Sequence, residues 1–543
     1  MTDAAPSAAP ALNAAPDRTS WVYWLLVALL ATYIGLLTGF RAEHPWTDAW
    51  EHERSVKVMT ETLWPPESLG NPTYAAPEAS IRYSPYSLAL AGVCRVTGMS
   101  PYTAMGIAGV VNTLLLGLAI PAFLGIFRCR AAAPSVLIVM VVLFGRPTEY
   151  ANSLALSDLP WHQVNPSAFA YALALLAWAL YDRLMVRGGA ASMFTAAIAC
   201  GLMGAVAILS HGMTGVFLMC GIAGIRLSQP RKPMPVELMV FVATSAVAFI
   251  ACWLWPWYDF LEATMTEPNE WFWYIDGVLR KMVFVWGLPT LALAVVTLPW
   301  QGHPLVRFGH LALLGTLAAA AIAAARESAL FMRLVFVGLT IVNVAIGFAA
   351  HQLGLFDPRT WPAWIGELRR GQWKGITAAL LAMMLGYCLF FQAAAILREP
   401  YLARPLLAPI MGRENKQAMV RETYTRGLAE VALRDVVLAD METAWPVPSF
   451  SGRIVAALHL EFFVPDEEER RADVAAFEAA ADLETIRRIV EKRDARWILL
   501  DDRRASWGRL SRLLPAGAVA AQERYLHLYD ARQLGRPLPQ AAD

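Results

Sequence analysis

Long apolar runs follow one another from residue 21 to residue 397, with polar and charged residues collected in short stretches between them. A helix needs about 20 apolar residues to cross a bilayer. By that measure, spanning helices are predicted near 21–40, 101–127, 131–146, 167–182, 192–209, 212–227, 236–257, 282–299, 308–325, 328–350 and 374–397. The run at 131–146 is short, and 83–97 reads as a re-entrant or interfacial helix. After residue 397 the pattern changes to that of an ordinary soluble domain. Asp435–Asp440, Arg453–Leu458, Ala495–Asp501 and Tyr525–Asp530 are strand-like, while Pro465–Ala480 and Leu483–Lys492 have helical spacing with polar faces. This alternation predicts a small α/β layer. The expected fold class is therefore mainly α: a polytopic membrane protein of about eleven transmembrane helices over 21–397, with a small C-terminal α/β domain over 398–543.

Composition agrees with the pattern. Hydrophobic residues make up 57% of the 543 and charged residues 16%, against about 25% charged in soluble domains. The first twenty residues are Ala/Pro-rich and are expected to be disordered. The apolar run Trp21–Phe40 is too long for a signal-peptide core and reads as a permanent first helix. Lys and Arg are denser in the segments that lie inside when the N-terminus is cytoplasmic, among them Arg128, Arg130, Arg231, Lys232, Arg369 and Arg370. An odd number of helices then puts the C-terminal domain outside, in the periplasm of a bacterial inner membrane. A net charge of +1 gives no sign of nucleic-acid binding. None of the six cysteines forms a CxxC pair, which argues against a disulfide framework or a zinc site. The C-terminal part holds no GxGxxG or P-loop, so nothing supports a nucleotide site.

Carboxylates concentrate in the outer loops 41–100, 146–166 and 258–281, and long loops of dense chemistry tend to carry function. In the first loop, Asp48, Glu51 and His52 fall at i, i+3 and i+4, one face of a helix capped by Thr47. A carboxylate there can act as general base on an acceptor hydroxyl. Asp48 with His52 is alternatively a divalent-metal pair, for which Mg or Mn is the natural ion, and the bland alternative is a solvated amphipathic helix on the membrane surface. Asp158 and His162 in the second loop are candidates for a facing acidic or imidazole group, set against simple turn formation at Pro160. His211, in Ser210-His211-Gly212, lies where two apolar runs meet on the outer side. Arg280, Lys281 and Arg333 sit at outer helix starts, where a buried arginine needs an anionic partner such as phosphate or a carboxylate. Trp273 stands in an aromatic cluster suited either to stacking on a sugar or to an interfacial belt.

Three stretches of the chain resemble the GT-C superfamily of membrane glycosyltransferases. They are His44-Pro45-Trp46-Thr47-Asp48-Ala49-Trp50-Glu51-His52, Arg82-Tyr83-Ser84-Pro85-Tyr86 and Ser210-His211-Gly212-Met213-Thr214-Gly215, and the outer tail adds Pro448-Ser449-Phe450-Ser451-Gly452-Arg453. The resemblance implies a polyprenyl-phosphate-linked sugar as donor and an extracytoplasmic glycan, lipid or protein as acceptor. It also implies Asp48 as general base, assisted by Asp158 or His162, with Glu51 and His52 beside it. Arg280, Lys281, Arg333 and His211 are implied to meet the donor phosphate, and Arg82, Tyr83 and Trp273 the acceptor or sugar. The chain has no adjacent Asp-Asp pair and no WWDYG-like motif, a departure that argues against an oligosaccharyltransferase. The rival classes are a transporter or flippase, which calls for internal repeats and midplane charges, and a non-catalytic component of a polysaccharide assembly complex.

Overall fold

The structure, a computed structural model, describes residues 20–39, 49–64, 66, 69–76, 79–143, 154–230, 234–265, 297–326, 329–398, 418–458 and 464–535. Among them, six helices are long and apolar enough to cross a membrane. These are α4 (Pro101–Ile126), α7 (Pro166–Arg187), α8 (Ala190–Ser210), α10 (Pro235–Trp253), α12 (Pro304–Arg326) and α15 (Trp373–Arg398). Shorter apolar helices belong to the same bundle: α1 (Trp21–Gly39), α5 (Ala133–Val142), α9 (Gly212–Ser228) and α13 (Ala329–Gln352). Every expected span has its counterpart except 282–299, of which 282–296 lies outside the described residues and the end falls in the short 3-10 helix Leu298–Trp300. The chain is a multi-pass membrane protein.

Caps in the sequence set several boundaries. Ser84 accepts a hydrogen bond from the Ser87 N–H at the start of α3 (Pro85–Thr97), and Pro85 follows it. Gly98 ends that helix at φ 71°, the left-handed geometry of a helix stop. Ser100 and Pro101 open α4 in the same way. Inside the bundle the helices close on small residues and aromatics. Trp178 on α7 packs against Phe123, Phe217 and Phe308 from three other helices, and Gly221 on α9 faces its ring so closely that a Cβ there would overlap it.

At the C-terminal ends of α7 and α9 and the N-terminal end of α10, Arg226 pairs with Glu237 and lies 3.4 Å from Asp182. Glu237 also accepts from the Met234 N–H at 3.1 Å, capping α10. This knot is the structural use of charge at a helix junction.

The C-terminal domain holds a five-stranded mixed sheet in the order β2-β1-β3-β5-β4. Its strands are β1 (Val436–Leu438), β2 (Arg453–Ile454), β3 (Ala495–Asp501), β4 (Val519–Glu523) and β5 (Leu526–Asp530). β1 pairs in parallel with β2 and β3, whereas β5 runs antiparallel to β3 and β4. Helices Glu467–Ala479 and Leu483–Lys492 cover the sheet, the latter capped by Asp482. Two expectations change. The strand predicted at Arg453–Leu458 pairs over two residues, and Val519–Glu523 is an edge strand hidden by its polar, Ala-rich sequence. A short amphipathic helix, α14 (Trp361–Arg369), also lies between two predicted spans.

The first loop builds α2 (Ala49–Glu61) and α3, then extends the sheet. Tyr74 bridges Ile454 in parallel, the Ile454 N–H donates to the Thr73 carbonyl at 2.8 Å, and the edge strand β2 is covered.

Candidate active site

Helix α2 is polar, yet it is buried along most of its length. Glu51, His52, Glu53 and Arg54 are each at most 5% exposed. That burial rules out the solvated surface helix allowed by the sequence, because charges leave water only where partners replace it. Successive residues on a helix turn by about 100°, so the charges divide between two faces.

One face carries Trp50, Glu53 and Lys57 and meets the C-terminal domain. Arg421 bonds both Glu53 carboxylate oxygens at 2.5 and 2.6 Å, and its guanidinium stacks 4.1 Å from the Tyr102 ring of α4. Lys57 donates to the Phe450 carbonyl, and Ser449 donates to the Trp50 carbonyl at 3.0 Å. Phe450 also packs on Trp50 and Tyr424.

The other face carries Glu51 and His52. Both meet Arg82, which stands in the turn before α3: Arg82 pairs with Glu51, and its Nη1 lies 3.4 Å from His52 Nε2. An arginine only donates, so Nε2 is the acceptor and the imidazole proton sits on Nδ1, which is buried and has no partner among the described residues. Burial first, then the Arg82 charge, holds the His52 pKa well below its ordinary value; Glu51 opposes this and His211 and Arg54 add to it. His52 is therefore a neutral imidazole at physiological pH.

His211 connects this cluster to the second outer loop. It caps α9, with Nδ1 2.8 Å from the Thr214 hydroxyl and accepting from the Thr214 N–H at 3.4 Å. Thr214 in turn lines a small crevice with His162, Ser167, Tyr171 and Thr340. His162 ends the short helix α6 (Leu159–His162), and burial pushes its pKa down to about 3. The two loops are fastened together: Tyr86 donates to the Val164 carbonyl at 2.8 Å and Asn112 to the Gln163 carbonyl at 2.8 Å.

The sequence-predicted residues thus separate. Glu51, His52, Arg82 and His211 converge, and His162 follows them through Thr214. Asp158 is buried beside Ser157, whose hydroxyl donates to it at 3.1 Å and which is itself bound by Gln392. Tyr83 is fully buried, donates to the Gly70 carbonyl at 2.8 Å and accepts at its own carbonyl from Trp255. Asp48, Arg280, Lys281 and Trp273 lie outside the described residues, and Arg333 lies in α13. The sequence reading missed the Glu53–Arg421 pair and the crevice residues Thr214, Tyr171 and Thr340. Glu53 carried a signal, since it repeats with Trp50 and Lys57 at helical spacing.

A divalent metal is poorly served by the described residues. Among them no group of three His, Cys, Asp or Glu side chains is placed to hold one, and Arg82 already engages both Glu51 and His52.

No protein-family model matches the chain, and no curated protein matches it. Solved structures do. The apo oligosaccharyltransferase of Archaeoglobus fulgidus is 13% identical, with a TM-score of 0.48, over 89% of this chain and 69% of that one. ArnT from Cupriavidus metallidurans, solved with undecaprenyl phosphate, is 13% identical, with a TM-score of 0.49, over 95% of this chain and 100% of that one. One further structure of the Archaeoglobus fulgidus enzyme contains zinc and sulfate. At these identities no residue role passes from those proteins to this one.

Proposed function

We propose that the chain is a membrane glycosyltransferase that moves a sugar from a polyprenyl-phosphate donor to an extracytoplasmic glycan, lipid or protein acceptor. The observation that supports this reading is the burial of α2. A short charged helix is enclosed between the outer end of a membrane bundle and a soluble domain, and it presents Glu51 and a neutral His52 to Arg82 and His211.

In this reading Asp48, which immediately precedes α2 in the sequence, accepts the proton of the acceptor hydroxyl. The acceptor oxygen forms its bond to the anomeric carbon as the bond from that carbon to the phosphate oxygen breaks, and the polyprenyl phosphate leaves. Arg82 fixes Glu51 and His52 in one geometry, and positioning of this kind is a large part of catalytic power. Arg280, Lys281 and Arg333 supply positive charge for the leaving phosphate, and His211 meets the same group. The enclosed setting excludes water and so limits hydrolysis of the donor. The N-terminus is assigned to the cytoplasm and the C-terminal domain to the periplasmic side of a bacterial inner membrane.

The test is transfer of radiolabelled sugar from a panel of polyprenyl-phosphate donors by purified protein in lipid, beside its Asp48→Asn variant. Asp48-dependent turnover supports the reading and names the donor. Full activity in a folded Asp48→Asn protein removes Asp48 as base, and failure to bind any donor removes the class.

A further inference from the structure

The far end of α2 opens into a second, separate cavity. Glu61 follows Glu51 by ten residues, about 15 Å along the helix axis. There, a cleft of about 490 Å3 lies between α2 and the C-terminal domain, lined by Val58, Glu61, Thr62 and Leu69 on one side and by Ala432, Leu433, Arg434 and Arg453 on the other. That volume is in the range of small-ligand sites, and a junction of two domains is where such sites recur.

Several arginines of the domain are held by carboxylates. Arg421, Arg426, Arg470, Arg493, Arg503 and Arg532 all face carboxylates. Among the described residues neither Arg434 nor Arg453 has a carboxylate partner within ion-pair distance, although the two face the same cleft. Arg453 is half-buried and held by one bond, from Nη2 to the Leu69 carbonyl at 3.2 Å. Burial lowers its pKa, Tyr83 nearby opposes this, and the Arg434 charge adds to the lowering. Glu61 is the one carboxylate on the lining, and Lys57, one helical turn back, feels its charge. The approach of the loop to Arg453 is built in: Gly70 adopts φ 59°, and a Cβ there would stand 3.0 Å from the Ala76 carbonyl oxygen and 3.5 Å from Arg453 Nη2.

We infer that this cleft binds an anionic group, a carboxylate or a phosphate, of an extracytoplasmic ligand between Arg434 and Arg453. Two guanidinium groups brought together without carboxylate partners gain most from a shared oxyanion, which each can engage with a fork of N–H donors. Resting on the transferase reading, the cleft is a remote acceptor subsite, with α2 running from it to the Glu51–His52 cluster.

The experiment is calorimetric titration of the purified full chain in lipid nanodiscs with three probes: linear tetragalacturonate, inorganic phosphate, and neutral maltotetraose. Saturable binding of either anion is expected, with maltotetraose silent. Arg434→Gln is expected to weaken that binding by about tenfold, the size of one charge-assisted hydrogen bond. Arg488→Gln, an exposed arginine away from the cleft, serves as the control and leaves binding unchanged. Preference for tetragalacturonate assigns a carboxylated glycan, and preference for phosphate a phosphorylated one. Binding of neither anion, binding that Arg434→Gln leaves intact, or equal binding of maltotetraose overturns the proposal. Because no turnover is read, the site stands or falls apart from the transferase reading. Anion binding in a protein that transfers no sugar would remove the reaction and keep the cleft.

Discussion

Helix α9 carries a buried polar cluster at each end, and the two clusters are built to different plans. At its C-terminal end Arg226 meets Glu237 and Asp182, and every strong charge has an opposite neighbour. At its N-terminal end His211 joins Glu51, Arg82 and a His52 held neutral by burial. The Arg226 cluster is a fastening, because it joins three helices through opposite charges. The cluster at the N-terminal end keeps the His52 imidazole in the neutral form that can exchange protons, beside the C-terminal domain. A buried ion pair alone is weak evidence even for stability. The difference between a closed set and one that retains titratable neutral groups is more informative.

The largest expected effect belongs to the outer end. Asp48→Asn should lower transfer by about 10²- to 10⁴-fold, the usual contribution of a general base, while thermal unfolding stays as in the parent. Arg226→Ala should do the reverse. It removes the cation that faces Glu237 and Asp182, and breaking a buried pair costs about 3–5 kcal/mol. Thermal unfolding in detergent should drop steeply, while activity per folded molecule is retained. Loss of activity without loss of stability at Arg226, or the converse at Asp48, would erase the contrast.

A third test concerns what holds the outer cluster in place. Glu53 and Arg421 join α2 to the C-terminal domain. Glu53→Arg or Arg421→Glu alone should speed amide exchange across residues 49–61, by about 1–3 kcal/mol of local protection, the size of a charged hydrogen bond. The exchanged pair, Glu53→Arg with Arg421→Glu, should recover much of it. Equal exchange in all four proteins would show that the domain does not set the helix.

The legible part of this molecule was the part governed by the bilayer. Lipid forces each span to be a continuous apolar helix, so the boundaries of α4, α8 and α9 could be read within a few residues. Strands of high contrast, such as Ala495–Asp501, were equally plain. Val519–Glu523 was not, because an edge strand needs no buried face. In the site, the i, i+3, i+4 spacing brought out Glu51 and His52, while Arg82 was expected to contact the acceptor or sugar and instead pairs with Glu51. The Glu53–Arg421 pair was beyond reach, since 368 residues separate its members and spacing rules act only within one element. The crevice formed by His162, Thr214, Tyr171 and Thr340 gathers residues from four segments for the same reason.

The smallest expected effect tests the neutral imidazoles directly. His162 has an ordinary value of 6.5 and is pushed down to about 3 by burial. Between those values the unfolded chain binds a proton that the folded one does not, so stability falls as pH drops through that window. Each such group adds a slope of about 1.4 kcal/mol per pH unit well below 6.5, and His52 acts in the same direction. The thermal midpoint of the parent should therefore fall between pH 7.5 and pH 5. His162→Gln, which keeps a polar side chain but cannot titrate, should fall less. The Arg226 cluster gives the control: among the described residues no histidine pairs with Arg226, so a stable Asp182→Asn protein should keep the parent's acid slope. If His162→Gln and the parent lose stability equally, the outer cluster is not holding a neutral imidazole at that position, and the distinction between the two ends of α9 narrows to His52 alone.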